Sequence, residues 1–338
     1  MSFKRFDQED IAISAESIVA PAWTNQVTTL TRMYTGSQVD STSGKYYYNV
    51  YQTASLETGA EVQFSIAYGN IHGSGSTLFS STEVGKSPSS VIYGQYRTLI
   101  NGDENTNFTF GSSAPTPNSI FTISVNRARF KEKLLPGSFA LTLGSGSRTL
   151  QLTDNSSTLT TLSYLDAGRV YDIISGSTSA AYTSTTGHQA FIAASGSYGK
   201  FLPDVGIIIL NGNALKDPTY GVNLKVSESY NAEGLNKQTF ISAIVSGSNF
   251  SLRSEETVTS NYVFVRVRNS EFNYSTNPSN ITGSGELLHT VRVNTPQAYM
   301  TTVGLYNDNN DLLGVAKLSR PLLKDFTKEA LVRIKLDY

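Results

Sequence analysis

The chain has 338 residues, of which 39 % are apolar and 16 % charged, with a formal net charge of −1. Such a chain can bury a sizeable core and hold two or three ordinary domains, yet its charged fraction falls below the roughly 25 % of average soluble domains. Near-neutral charge removes the electrostatic drive toward nucleic acid or an anionic membrane, and the absence of cysteine excludes disulfides, thiolate catalysis and cysteine-ligated zinc.

Met1 to Asp10 carry charges where a secretory signal is greasy, and no stretch approaches the roughly 18 apolar residues of a membrane span. The expectation is a protein made in the cytoplasm and not secreted by a signal peptide. Further on, Tyr46-Tyr47-Tyr48 and Tyr51 share one segment. On a strand, Tyr46 and Tyr48 face one way, opposite Tyr47 and Tyr51. Exposed tyrosines of this kind anchor protein contacts or stack on sugars, and on a core-facing side they simply pack.

Glu61 to Tyr68 places Val62, Phe64, Ile66 and Tyr68 on one face, the period of a half-buried strand. Ser87 to Ile100, with Pro88 at its start and Val91, Ile92, Tyr96, Leu99 and Ile100 on one stripe, predicts a helix. Ser119 to Val125 predicts another strand. It is followed by the clearest basic cluster, Asn126 to Lys133, whose Arg127 and Arg129 suit a solvated strand edge or an intersubunit salt-bridge strip. A short helix is expected over Leu165 to Ile174 and another over Asn236 to Val245. Val205 to Leu210 is apolar throughout and predicts a strand covered on both faces.

Tyr262 to Arg268 alternates as a strand. Gln297 to Tyr306 and Asp311 to Leu318 predict a long hairpin around Asn307-Asp308-Asn309-Asn310, with Pro321 ending its second strand. Leu331 to Tyr338 alternates to the chain's last residue, as a strand tied into a sheet does. Irregularly spaced Gly-Ser pairs punctuate these runs as loop tips. The expected class is mainly β, with β-sandwich or barrel-like antiparallel domains and a few short helices. Boundaries near residues 85 and 220 divide it into an N-terminal β assembly region (1–85), a central β-rich domain with short helices (86–220) and a C-terminal β domain ending in the hairpin and terminal strand (221–338).

No motif for catalysis emerges. His72, His188 and His289 stand apart, with no H-x-x-x-H spacing. Gly85-Lys86-Ser87 lacks the earlier glycine of a phosphate loop, because that position is Ser80. No G-x-S-x-G elbow occurs. The acid pairs Asp103-Glu104, Glu255-Glu256 and Asp308 with Asp311 suit turns and strand faces, although a glycosidase unites distant carboxylates that spacing cannot reveal. The expectation is a non-enzymatic protein with no cofactor and no metal.

Ser2-Phe3-Lys4-Arg5-Phe6-Asp7-Gln8-Glu9-Asp10-Ile11 resembles the opening of structural proteins from contractile-tailed phages of marine cyanobacteria. Phe272-Asn273-Tyr274-Ser275-Thr276-Asn277-Pro278-Ser279 resembles an element common in phage virion proteins, and Thr301 to Pro321 is the most specific of the three matching stretches. The resemblance implies a multi-copy virion component of the tail or baseplate, meeting other phage structural proteins or copies of itself, with no catalytic residues to carry over. A head decoration or neck protein, and a receptor- or glycan-binding tail module, are the alternatives. The hairpin is expected to dock by strand addition, with Phe272, Tyr274, Tyr299 and Tyr306 as anchors and Arg127 and Arg129 as further interface candidates.

Overall fold

The computed structural model describes residues 4–36, 46–54, 57–73, 86, 88–111, 114–176, 196–227 and 233–337. The protein is mainly β, 45 % strand against 16 % helix. The strands in the first half are β1 (Ile11–Pro21), β2 (Thr29–Leu30), β3 (Tyr34–Thr35), β4 (Tyr47–Tyr51), β5 (Val62–Asn70), β6 (Ser119–Val125), β7 (Lys133–Leu134), β8 (Ala140–Ser145) and β9 (Arg148–Asp154). Next come β10 (Ser163–Leu165), β11 (Gly168–Ser175), β12 (Gly199–Leu202), β13 (Ile207–Asn211), β14 (Asn249–Ser251) and β15 (Arg253–Val267). The chain ends with β16 (Gln297–Tyr306), β17 (Leu312–Asp325) and β18 (Ala330–Asp337). The helices are α1 (Ser89–Asn101), α2 (Gly212–Lys216), α3 (Glu233–Gly247) and α4 (His289–Val293).

Contacts divide the chain into a larger unit, Ile18–Glu256, and a smaller one, Met1–Ser17 with Thr257–Tyr338. Residues 85 and 220, where composition suggested boundaries, both fall inside the larger unit. The reason is strand pairing between distant segments: β5 pairs with β6 across residue 85, and β14 pairs with β8 across residue 220.

In the larger unit one sheet follows the order β2-β14-β8-β9-β11-β12-β13-β6-β5-β4-β3, with β10 on β11. Its two ends, β2 and β3, are joined only by Thr31, Arg32 and Met33. Laid flat, ten spacings of about 4.8 Å would hold those ends about 48 Å apart. The four chain steps from Leu30 to Tyr34 span at most about 14 Å. The sheet therefore curls back on itself, nearly closing.

Aromatic packing records the curl. Phe64 on β5 meets Phe250 on β14 with ring centroids 5.0 Å apart, although six strands of the path lie between them. Trp23 packs tilted against both, at 5.9 and 5.0 Å, and donates its indole N–H to the Phe250 carbonyl at 2.9 Å. Phe139 bridges Phe250 and Phe201, and Phe240 of α3 stacks on Phe121 at 4.5 Å. α3 packs on β8, β5 and β14, so it fills the concave side.

Side-chain alternation then sorts the apolar residues by face. Phe121, Ile123, Ile208, Leu210, Phe201, Tyr171 and Ile173 join the concave core. Ile120, Ile207, Ile209, Leu202 and Val170 join a second cluster with Tyr93 and Ile100 of α1. β13 is buried at every residue, as its unbroken apolar run predicts. α1 sits close because Gly69 faces it: a Cβ there would lie 3.1 Å from the Tyr93 backbone and from Ile120.

Two local expectations need correction. Leu165 to Ile174 is not helical: β10 turns through Asp166-Ala167 into β11, with Leu165 opposite Gly168. Val170, Tyr171, Ile173 and Ile174 are buried on both faces of β11, and β-branched and aromatic side chains suit that pleated surface. In the smaller unit, Pro321 does not end β17. The register jumps from Met300↔Leu322 to Thr302↔Lys317, so Leu318 to Pro321 lie opposite Thr301. Proline is tolerated in such an irregularity because its missing N–H is not required there.

The smaller unit holds a sheet region in which β15 lies between β1 and β18, together with the two-stranded hairpin β16–β17. β18 pairs antiparallel with β15 from Ala330↔Val267 to Asp337↔Ser260. The hairpin covers one face of that pair, where Val303, Leu305, Ala316 and Leu318 meet Val263, Val265, Val332 and Ile334.

Phe250→Ala is expected to lower the unfolding free energy by about 3–5 kcal/mol, measured by urea denaturation; a loss below about 1 kcal/mol would contradict the packing role of this aromatic cluster. A second expectation concerns alkali. Burial pushes the Tyr198 hydroxyl from 10.0 up to about 12, while it donates to the Tyr220 carbonyl at 2.8 Å. Because the unfolded chain ionises first, this contribution is complete below the unfolded value and is lost as pH climbs toward the folded one. Thermal midpoints of Tyr198→Phe should therefore fall less steeply with alkaline pH than those of the parent chain, and parallel curves would contradict the assignment.

Candidate interaction surface

Four of the six interface candidates, the anchors Phe272, Tyr274, Tyr299 and Tyr306, lie in the smaller unit. The hairpin places two of them. Asn307 closes its turn by accepting the N–H groups of Asn309 and Asp311 on its side-chain oxygen, at 3.0 and 2.7 Å. Residues directly opposite in an antiparallel pair share a face. Tyr306↔Leu312, Gly304↔Val315, Thr302↔Lys317 and Tyr299↔Leu323 form the outer rows. Tyr299 is 64 % exposed, and Val315 and Leu312 are also open to solvent. Tyr306 lies back across Gly304, where an added Cβ would come within 2.8 Å of its ring. Leu313, at the register shift beside Tyr306, is 71 % exposed.

Phe272 and Tyr274 are placed by a different device. Lys324 on β17 is fully buried, and its ammonium donates to the Asn273 side-chain oxygen, to the Asn269 carbonyl at 3.2 Å and to the Asp325 carbonyl at 3.0 Å. Asn273, itself buried, donates back to Asn269 at 2.6 Å. The loop is pinned at its start as well, because Glu271 accepts the Arg268 N–H at 2.9 Å and the Lys4 ammonium at 3.2 Å. Those contacts, the Arg268 N–H first, hold the Glu271 carboxyl below its ordinary value. Phe272 sits between the two anchors at φ 54°, a left-handed conformation that a bulky residue rarely adopts, and remains exposed.

The clamp's chain neighbours line a groove of about 580 Å³, walled by Tyr274, Leu287, Pro296, Phe326, Glu286 and Arg292. Phe326 stands at the turn after β17 and is 50 % exposed. Asp325 shapes that turn by accepting the Thr327 hydroxyl at 2.6 Å and its N–H at 2.9 Å, which, with Lys328 at 3.4 Å, keeps its carboxyl below the ordinary range. On the other wall Thr282 donates to the Glu286 carbonyl at 2.7 Å, a tight loop that sets Gly285, Glu286 and Leu287 in line.

Arg127 and Arg129 lie elsewhere, in a short 3-10 turn of the larger unit rather than on a strand edge. Arg127 stacks on Phe130 at 4.5 Å and donates to the Phe130 and Lys131 carbonyls. Arg129 pairs with Glu61 at 2.5 Å and donates to the Thr24 hydroxyl. Lys131 reaches Glu256 at 2.6 Å and Lys133 reaches Glu255 at 3.5 Å. This basic strip is tied within the chain.

In the tyrosine segment, Tyr48 is buried and Tyr47 exposed, as the alternation predicts. Asp103 accepts the Asn105 N–H at 2.9 Å and the Thr106 hydroxyl, and Asp311 accepts the Asn307 amide at 3.0 Å. His72 and His289 are exposed, and no three potential metal ligands converge among the described residues. His188 and the Ser80 to Ser87 stretch, Lys86 excepted, lie outside the described residues. No helix among the described residues is long and apolar enough to cross a membrane.

Sequence reading missed β1. Ile11 to Val19 are all exposed, Ile13 at 73 %, and Glu16 is the one charge in the strand. The alternation of Ile11, Ile13 and Ala15 was its available signal. Phe326 and the Lys324 clamp were missed too, because an isolated lysine reads as a solvated one.

Lys324→Met is expected to free residues 269–274 by leaving its oxygen acceptors unpaired, at about 1–3 kcal/mol for each buried group. Faster amide exchange confined to that loop and the β17 end would bear this out, and unchanged exchange would contradict the clamp. No family model, no curated protein and no solved structure matches the chain.

Proposed function

We propose that this chain is a non-enzymatic structural subunit of a contractile-tailed phage virion, placed in the tail or baseplate and assembling through strand edges and the outer face of its hairpin. The observation that carries the reading is β1. Proteins blunt exposed edges with charge, proline, bulges or a covering element, whereas residues 11–19 offer Ile11, Ile13, Ile18 and Val19 to solvent with Glu16 as the single charge. An edge of that composition suits pairing with a neighbouring polypeptide, where main-chain bonds supply affinity and alternate side chains supply register.

The hairpin supports the same reading. A two-stranded ribbon is marginally stable by itself, and this one has one face on the β15–β18 pair and the other exposing Tyr299, Leu312, Leu313 and Val315. Tyrosine is favoured at such contacts because it brings large apolar area with few rotatable bonds. The stretches Ser2 to Ile11, Phe272 to Ser279 and Thr301 to Pro321 resemble phage virion proteins; the first runs into β1 and the last lies within the hairpin.

Ile13→Lys places a charge on the edge without touching a buried group. The expected result is a variant with the parent's circular dichroism and thermal midpoint that no longer enters particles when supplied to infected cells in place of the parent chain. Incorporation at the parent's level, measured by quantitative mass spectrometry of purified virions, would contradict the edge-pairing role.

A further inference from the structure

We infer that the groove of the smaller unit, between Tyr274 and Phe326, is a binding site for a neutral saccharide. The inference stands on that unit's geometry and does not depend on the virion reading.

A sugar presents apolar C–H faces and a ring of hydroxyls, each both donor and acceptor. A site for it therefore needs flat apolar surfaces together with separate acceptors and donors. The groove of about 580 Å³ supplies both. Tyr274, Phe326, Leu287 and Pro296 provide the apolar surface, with both aromatic rings substantially exposed. Glu286 brings an acceptor carboxylate and Arg292 a planar set of donors. Neither side chain has a hydrogen-bond or ion-pair partner among the described residues, so both remain available to a ligand.

The charge balance selects the ligand class. One cation and one carboxylate share the groove, so an anionic ligand drawn to Arg292 would meet Glu286, and a cationic one would meet the reverse. A neutral, hydroxyl-rich ligand uses both groups.

The groove is also held in shape from behind. The buried Lys324 ammonium ties together Asn273, Asn269 and Asp325. Tyr274 directly follows Asn273, and Phe326 directly follows Asp325. One buried clamp thus fixes the chain on which each ring sits, and the Asp325–Thr327 contacts at 2.6 and 2.9 Å hold the second ring's turn. Exposed aromatics on pre-set backbone lose little freedom on binding, which is what a weak-affinity sugar site requires.

The test is saturation-transfer difference NMR on the full chain, with chitotetraose and maltotetraose as the probes and Tyr274→Ala, Arg292→Ala and Tyr299→Ala as variants. Each variant is first checked for the parent's circular dichroism spectrum. The expected result is transfer to the ring protons of at least one probe, weakened about 3- to 10-fold by Tyr274→Ala through loss of the stacking surface, weakened also by Arg292→Ala, and unchanged by Tyr299→Ala on the hairpin's outer face. The absence of transfer to both probes would overturn the inference, as would transfer that Tyr274→Ala and Arg292→Ala leave untouched.

Discussion

The three-residue link between β2 and β3 constrains the larger unit more than any other feature. It ties together the two ends of an eleven-strand path, so the sheet must curl. A curled sheet needs a filled concave side. The chain fills it with rings, among them Trp23, Phe64, Phe121, Phe139, Phe201 and Phe250, all buried to within about the last fiftieth of their surface, and with Phe240 brought in on α3. Both sheet ends thus meet one aromatic cluster, and the strands between them need apolar residues on two faces wherever α1 covers the outside. This explains why β13 is apolar from Ile207 to Leu210, and why β6, β11 and β12 divide their apolar residues between two cores.

The smaller unit is stabilised on other terms. Its apolar cluster is small, with Val263, Leu305, Val332 and Ile334 at the centre, and much of its order comes from polar fixings: the Lys324 clamp, the Glu271 anchor and the asparagine-closed hairpin turn. Such fixings hold loops and strand edges in place without covering them. The outcome is a unit with large apolar side chains in the open, including Ile13, Tyr299, Leu313 and Phe326, presented on backbone that is nonetheless defined. Surfaces of that kind suit contact with something outside the chain, whether a neighbouring polypeptide at the edges or a sugar in the groove.

How far the sequence discloses this depends on how local each signal is. α1 was legible because Pro88 and one apolar stripe mark it. β13 was legible because four consecutive apolar residues leave no solvent face, and the terminal hairpin was legible because Asn307 to Asn310 can form little else than a turn. Leu165 to Ile174 misled because Val170, Ile173 and Ile174 fit a helical stripe and a two-faced strand equally well, and only the Asp166-Ala167 turn decides between them. β2 and β3 are two residues each and have no periodicity to detect, so the link that curls the sheet could not be seen at all. Among the site residues, Tyr274 and Tyr299 were selected as exposed aromatics and are exposed, but the groove needed Phe326 and Arg292, which distant pairing alone brings beside Tyr274. Arg127 and Arg129 look like a free basic patch in sequence because Phe130 and Glu61, which hold them, carry no mark of doing so.

The most direct test of the account is where this chain resides in an intact particle. Purified virions labelled with an antibody raised against residues 297–325 and viewed by electron microscopy should show repeated label at the tail or baseplate. Label confined to the head or neck would contradict the tail placement, and particles that carry no label while the antibody recognises the free chain would contradict a structural role in the virion.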